Sequence, residues 1–343
     1  MDANVVSRRR GRACCPQRCT FAESGAANAA PLYDPSCENA FVAFRRALHP
    51  HILRYVVPQQ QRPCAGGEEA PREKLNAFFA EHPRLAIAFS GGLDSRFLCF
   101  SALRAGASVL ALHARGPHIP EYETREAVDF AENLHLPLIV FDTDPLTLPD
   151  AAHNTKRRCY ACKKNLLSRI RTLLAERGET ERTLCDGTNH SDLAVFRPGL
   201  LALQEEGVLS PLALSGYDKP LIREKAVEEG MALPSFPPRP CLLTRYAYGL
   251  CPERAVLAAL GRAEKKLLDL KNGEGGRLLG DFRLRLTPDP VLQCTRFLPG
   301  WREPVGAILR EEGFSPWTVK VTERVSGFFD TDKSPDSSGK SGM

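Results

Sequence analysis

The stretch Leu85-Ala86-Ile87-Ala88-Phe89-Ser90-Gly91-Gly92-Leu93-Asp94-Ser95 sets the fold class of this 343-residue chain. Five apolar residues in a row fit a strand buried on both faces. The segment 95–105 that follows has helical character, so the order is strand, glycine loop, helix. Two glycines let successive backbone N–H groups curl toward an anion, and the helix N-terminus adds about half a positive charge. Ser90 and Ser95 can donate hydroxyl hydrogen bonds to the same phosphate. Asp94 is too acidic to touch phosphate directly and is suited to holding Mg2+ over a phosphate leaving group. A helix-initiating turn with Ser and Asp caps is the plainer alternative, and the complete S-G-G-x-D-S pattern behind a buried strand weighs against it.

Outward from this loop the pattern repeats. Apolar runs at 85–89, 108–113, 137–141 and 183–185 predict strands, and amphipathic stretches at 121–134, 160–176, 191–205 and 219–229 predict helices between them. Alternating strands and helices imply an α/β fold with a doubly wound, mostly parallel sheet. The rhythm breaks after Gly230, where Leu233-Pro234-Ser235-Phe236-Pro237-Pro238-Arg239-Pro240 can continue neither a helix nor a central strand. Beyond it a helix at 252–270, strands at 282–286 and 291–297, a helix at 302–311 and a strand at 317–324 predict a smaller α+β domain. The expected division is an N-terminal extension, partly disordered, over 1–70; a nucleotide-binding domain over 71–232; a cysteine-bearing loop over 233–251; the small domain over 252–330; and a disordered tail over 331–343. The extension carries one possible helix at 38–55.

Composition narrows the classes of partner. The 46 basic and 41 acidic residues leave a net charge of +5, which permits an anionic small molecule but lacks the bias that announces nucleic acid. The longest apolar runs fall far short of the roughly 18–20 residues a membrane span needs, and the arginine-rich start has no apolar region behind it, so a cytoplasmic protein is expected. Twelve cysteines in such a protein point to metal ligation or chemistry more than to disulfides. Cys14, Cys15, Cys19, Cys37 and Cys64 fall in the extension, Cys159 and Cys162 form a C-x-x-C, and Cys241 stands in the proline-rich loop.

The loop Ser90 to Ser95 resembles the PP-loop of the N-type ATP pyrophosphatases, which implies ATP, release of pyrophosphate and adenylation of an acid or carbonyl oxygen. Further segments in the same order resemble the LarE family over roughly 72–328. They are Arg158-Cys159-Tyr160-Ala161-Cys162-Lys163-Lys164, Asp186-Gly187-Thr188-Asn189 with Asp192, Arg197-Pro198-Gly199, Ser210-Pro211-Leu212, Pro240-Cys241-Leu242-Leu243-Thr244-Arg245 and Tyr248-Gly249. That resemblance implies adenylation of the carboxylates of pyridinium-3,5-biscarboxylic acid mononucleotide and their conversion to thiocarboxylates. Ser90, Gly91, Gly92, Asp94, Ser95, Asp186, Asn189 and Arg245 are then implied to hold the nucleotide, with Mg2+ on Asp94. Cys241 stands where family members carry a sulfur-bearing cysteine, and with Cys159 and Cys162 it resembles the type that binds a [4Fe-4S] cluster. Three thiolates would leave one iron open to an exogenous sulfide. A sulfide donor and a homo-oligomer belong to the same expectation.

Several residues stay open to a plainer reading. Cys159 and Cys162 suit a zinc clip or helix-start packing as well as a cluster, and Cys185, at the end of an apolar strand, suits a small core residue. Lys163 is read either as a neutraliser of charge on phosphate or carboxylate, or as a surface lysine. Arg245 suits a bidentate contact to an anion or a structural salt bridge. Arg283 and Arg285 fall on one face of a strand, as a clamp for a substrate phosphate or as a solvated sheet face. Glu264 reads as part of a solvated helix face. Thr287-Pro288-Asp289 and Cys294 depart from the family's usual H-G-D and acidic position, and Thr322-Glu323-Arg324-Val325-Ser326-Gly327 replaces its G-Y-R-S-G-S ending. A tRNA thiolase with the same loop and a nucleotide-binding regulator without turnover are the competing functions.

Overall fold

The computed structural model describes residues 70–194, 198–234, 240–287 and 289–330. The cysteines of the extension, the possible helix at 38–55, Arg197, most of the proline-rich stretch and the tail lie outside them.

Four strands, β1 (Arg84–Ala88), β2 (Ser108–Arg115), β3 (Leu138–Asp142) and β4 (Thr183–Asp186), form a parallel sheet in the order β3-β2-β1-β4. The longer helices that accompany it or the second layer are α1 (Pro71–Glu81), α2 (Leu93–Arg104), α3 (Glu121–Asn133), α4 (Arg158–Glu176), α5 (Pro198–Glu205), α6 (Lys219–Glu228) and α7 (Arg254–Asp269). Alternation along the strands assigns the two faces. Leu85, Ile87 and Val109 pack with Phe97 of α2, Phe130 of α3 and Ile222 of α6. Ala86, Leu112, Phe141 and Leu184 pack instead with Leu167, Ile170 and Leu174 of α4 and Leu203 of α5. Each fully buried leucine or isoleucine in these cores contributes about 1.5–3 kcal/mol. Helices on both faces make the sheet doubly wound, as expected from the sequence.

A second, mixed sheet follows. β5 (Phe282–Leu286) pairs antiparallel with β6 (Pro290–Cys294), and β6 pairs parallel with β7 (Thr318–Val321). Its core joins Leu257, Leu260 and Leu267 of α7 to Leu284, Leu292 and, from α8 (Arg302–Glu311), Val305 and Leu309.

Two features differ from the sequence expectation. The single helix at 191–205 is instead a short 3-10 turn, His190–Ala194, and then α5 beginning at Pro198. Proline lacks the N–H that would continue a helix and disfavours helical backbone at the residue before it. Helix α1 has no counterpart in the sequence reading. It starts at Pro71, where the missing N–H costs nothing, and the Glu73 carboxylate accepts the Ala70 N–H at 3.1 Å. No helix among the described residues is long and apolar enough to cross a membrane.

Because β1 leads to β2 on one side while β4 lies on the other, the sheet has a topological switch point between β1 and β4. A ligand crevice is expected outside the carboxyl ends of those strands.

Candidate active site

The glycine loop occupies that position. Phe89 continues β1, Gly92 starts α2, and Ser90 Oγ and Ser95 Oγ lie 3.1 Å apart across the loop. Ser95 Oγ also donates to the Gly92 carbonyl at 3.0 Å, and the Gly92 N–H donates to Ser90 Oγ at 3.3 Å. Gly91 has φ +74°, and a Cβ there would stand 2.7 Å from Ala127 Cβ of α3, so both backbone conformation and space demand glycine. The loop is clamped from outside by buried Arg96, whose Nε donates to the Gly91 carbonyl at 2.7 Å while its guanidinium pairs with Glu126 at 3.6 Å. Nothing in the motif itself signals this clamp.

The turn after β4 is pressed against the loop. A Cβ on Gly187 would lie 2.9 Å from the Ser95 backbone nitrogen, so glycine is what allows the two segments to meet. From this turn the fully buried Asn189 donates its side-chain amide to Asp94 Oδ2 at 2.9 Å, and its carbonyl oxygen accepts the Asp192 N–H at 3.2 Å. Asn189 therefore positions Asp94. Asp186, also buried, accepts from Thr188 N and Oγ1 at 3.1 and 2.8 Å and from Ser210 Oγ at 2.8 Å. Lys163 reaches the same carboxylate at 3.6 Å with its side chain only 28% exposed. It is thus a half-buried cation at the crevice, not a surface lysine. Thr188, Ser210 and Asp192 belong to segments singled out in the sequence, yet their parts in this network were not legible there.

Helix α4 carries the C-x-x-C and, directly after Cys162, Lys163. Cys159 is exposed, while Cys162 and Cys241 are half-buried and pack against the second core. Burial pushes the Cys162 thiol up to about 12, with further upward contributions from Cys241 and Cys159. The Cys241 thiol is raised by burial and then by Cys159. Both are drawn back down by Arg158. The three sulfurs therefore share one electrostatic corner, although among the described residues no group of three His, Cys, Asp or Glu side chains is placed to hold a metal ion. The donors are of the right soft type for an iron–sulfur centre, but their present spacing is not a ready site. Cys185, within β4, is fully buried, as its strand position suggested, and Cys294 is fully buried with its thiol directed to the Arg296 carbonyl.

Behind Cys241 the chain turns through Leu242–Arg245, where Arg245, implied by the resemblance to hold the nucleotide, takes instead the structural salt bridge that was its other reading, and the expectation for Glu264 is corrected. Arg245 is fully buried, and its fork meets Glu264 with Nε–Oε1 at 2.9 Å and Nη2–Oε2 at 2.8 Å. Its Nη1 donates to Thr244 Oγ1 and the Pro240 carbonyl. The guanidinium is committed to the structural ion pair and does not face a nucleotide. Glu264, expected on a solvated helix face, is fully buried and also accepts the Leu284 N–H at 2.9 Å. The pair thereby ties the cysteine loop to α7 and β5.

Arg283 and Arg285 are 8% and 5% exposed, which sets aside the solvated-face alternative. Arg285 donates to Gln293 Oε1 at 3.0 Å, to the Thr244 carbonyl at 2.7 Å and to the Val325 carbonyl, and it lies over the rings of Phe328 and Phe329. Burial, and then the charge of Arg245, lowers its pKa to about 10, so it stays cationic at neutral pH. Both arginines line a cavity of about 230 Å3 with Arg158, Tyr248 and the segment from Val325 to Asp330.

No family model matches the chain. It is 32% identical over 197 residues, 57% of its own length and 73% of the relative's, to an uncharacterized protein of Synechocystis sp.. It is 29% identical over 198 residues, 57% of this chain and 71% of the relative, to the pyridinium-3,5-bisthiocarboxylic acid mononucleotide synthase of Lactiplantibacillus plantarum, a LarE enzyme. The chain belongs to the LarE-like family. An uncharacterized protein of Methanocaldococcus jannaschii, 33% identical over 168 residues, is matched over 63% of its length and 49% of this chain.

In this LarE-like chain the candidate functional groups therefore converge from separated segments onto two adjoining places. Ser90, Gly91, Gly92, Asp94, Ser95, Asn189 and the Asp186–Lys163 pair gather at the switch point. Cys159, Cys162, Cys241, Arg283 and Arg285 gather where α4 meets the second layer. Sequence reasoning missed Arg96, Gln293 and Asp330, and it quoted Arg158 and Tyr248 without giving either a part.

Proposed function

We propose that the protein catalyses ATP-dependent sulfur insertion into a pyridinium carboxylate mononucleotide. The observation that carries this reading is that α4 bears both the thiols of Cys159 and Cys162 and, at its second turn, the Lys163 ammonium paired with Asp186 beside the glycine loop. One rigid helix thus spans the distance between acid activation and sulfur.

In the first step a substrate carboxylate oxygen attacks the α-phosphorus of ATP. The Ser90–Ser95 loop cradles the departing pyrophosphate, and Asp94, held by Asn189, would keep Mg2+ over it. Lys163 offsets negative charge as the acyl-adenylate forms. In the second step sulfur attacks the activated carbonyl carbon and expels AMP. Both half-buried thiols are protonated as they stand, so a positive partner is needed to make a thiolate. Were Cys159, Cys162 and Cys241 drawn together they would hold a [4Fe-4S] cluster, which would supply sulfide from an open iron; the sacrificial use of Cys241 sulfur is the rival source. Arg283 and Arg285 would hold the substrate phosphate.

Asp94→Asn is expected to abolish substrate-dependent pyrophosphate release without unfolding the protein, and turnover close to wild type would remove the loop from the reaction. Iron analysis of anaerobically purified protein, with intact mass before and after one turnover, distinguishes the two sulfur sources. Iron with unchanged mass supports the cluster. Loss of the mass of one hydrogen sulfide molecule from the polypeptide assigns the sulfur to Cys241.

A further inference from the structure

Arg158 is the first residue of α4 and is 7% exposed. It lines the same cavity as Arg283 and Arg285. Its guanidinium lies 4.8 Å from the centroid of the Tyr248 ring, and the Tyr248 hydroxyl donates to Asp330 Oδ1 at 2.7 Å. A long contact joins its Nη1 to the Thr155 carbonyl at 3.4 Å and the guanidinium also hydrogen-bonds the Tyr248 side chain, while its Nε is buried with no hydrogen-bond partner. Arg285 differs sharply, since each of its three nitrogens already donates within the protein. A buried guanidinium N–H without an acceptor is costly unless a ligand supplies one.

Position adds a second argument. Arg158 immediately precedes Cys159, and it is the arginine of the cavity whose charge acts on both Cys162 and Cys241. Arg283 and Arg285 approach from β5, on the side closed by Val325 to Asp330. A ligand with two anionic ends can then lie between them, one end on the β5 pair and the other beside the thiols. The acid that is to receive sulfur must be the end nearest Cys241.

We infer that Arg158 is a specificity-determining residue that binds the carboxylate end of the substrate by its planar fork, while the phosphate end rests on Arg283 and Arg285. This inference rests on the function proposed above. It explains why the cavity carries three guanidinium groups against the single carboxylate of Asp330 among its lining residues.

The test is calorimetric binding to the full-length protein of two probes, nicotinic acid mononucleotide and nicotinamide mononucleotide, which share ring, ribose and phosphate and differ in carboxylate against amide. Wild type is expected to prefer the acid by about tenfold or more. Arg158→Gln should bring that ratio close to one while leaving amide affinity within about threefold. Arg283→Gln should weaken both probes alike. Arg158→Lys keeps the charge without the fork and should give an intermediate ratio, which preserves the test if the glutamine variant does not fold. An unchanged acid-to-amide ratio in Arg158→Gln, or an equal loss for both probes, overturns the assignment of Arg158 alone. Wild-type protein that binds neither probe overturns the proposed ligand class together with this inference.

Discussion

The loop at the end of β1 and the arginine strand β5 both gather hydrogen-bond donors, and they are built in opposite ways. In the loop the donors are backbone N–H groups and two short hydroxyls, and the hydrogen bonds inside it span few residues, Ser90 to Ser95, Ser95 to Gly92 and Arg96 to Gly91, with Asn189 and Glu126 bracing it from further away. In β5 the donors are long side chains that must be held away from water. Arg285 is held by Thr244, Gln293 and Val325, residues 41, 8 and 40 positions away. Local construction tolerates changes in the rest of the fold, whereas the distributed construction fails whenever a distant support is lost.

The strongest test of that difference is Glu264→Ala. It would strand the fully buried Arg245 and release the Leu284 N–H on β5, and a loss of about 3–5 kcal/mol is expected by chemical denaturation. A loss below about 1 kcal/mol would show that the pair does not hold the strand.

Next comes the joint between the two regions. The His118 carbonyl accepts the Leu242 N–H at 2.9 Å, linking the end of β2 to the cysteine loop, and its imidazole has a buried Nδ1 without a partner. Burial lowers its pKa to about 4, against an opposing pull from Asp144. The folded state thus favours the neutral ring. Its contribution is complete above the unfolded value of about 6.5 and is lost as pH falls from there to about 4, on the order of 3 kcal/mol in all. Stability measured between pH 7 and 4 should fall less steeply in His118→Gln; identical slopes would refute the assignment.

Gly91→Ala probes the local construction. Its positive φ and the approach to Ala127 together should cost about 1–3 kcal/mol and weaken ATP binding, with β5 ligand contacts unaffected. The smallest effect is expected from Gln293→Leu, which removes the acceptor of Arg285 Nε and the donors to Thr322 Oγ1 and the Arg324 carbonyl. A loss of about 1–2 kcal/mol is expected, with weaker phosphate binding and unchanged affinity for ATP. Equal weakening of both ligands would mean that the two regions do not act separately.

The same contrast explains how much was legible beforehand. Period-two and period-3.6 patterns located the elements because burial acts on nearby residues in a fixed geometry, and β5 and α8 match their predicted limits. The glycine loop was legible for the same reason. For Arg245 a salt bridge was one of two readings, but its partner Glu264 was not legible, since nothing within a few residues of either shows that α7 passes behind the cysteine loop. Arg283 and Arg285 could be placed on one strand face, but whether that face met water depended on Val325 to Asp330 folding over it.

By itself, then, the sequence determined the α/β class, the strand–loop–helix order around the glycines and the C-x-x-C on a helix, because each rests on spacing along one segment. Only tertiary structure decided which charges are spent inside the protein and which face a ligand. Arg245 became a structural ion pair, Lys163 a partner of Asp186 and Arg158 a buried cation with an unspent donor. The reason is physical: a side chain's charge is defined by what desolvates and pairs it, and those neighbours come from segments that meet only when the chain has folded.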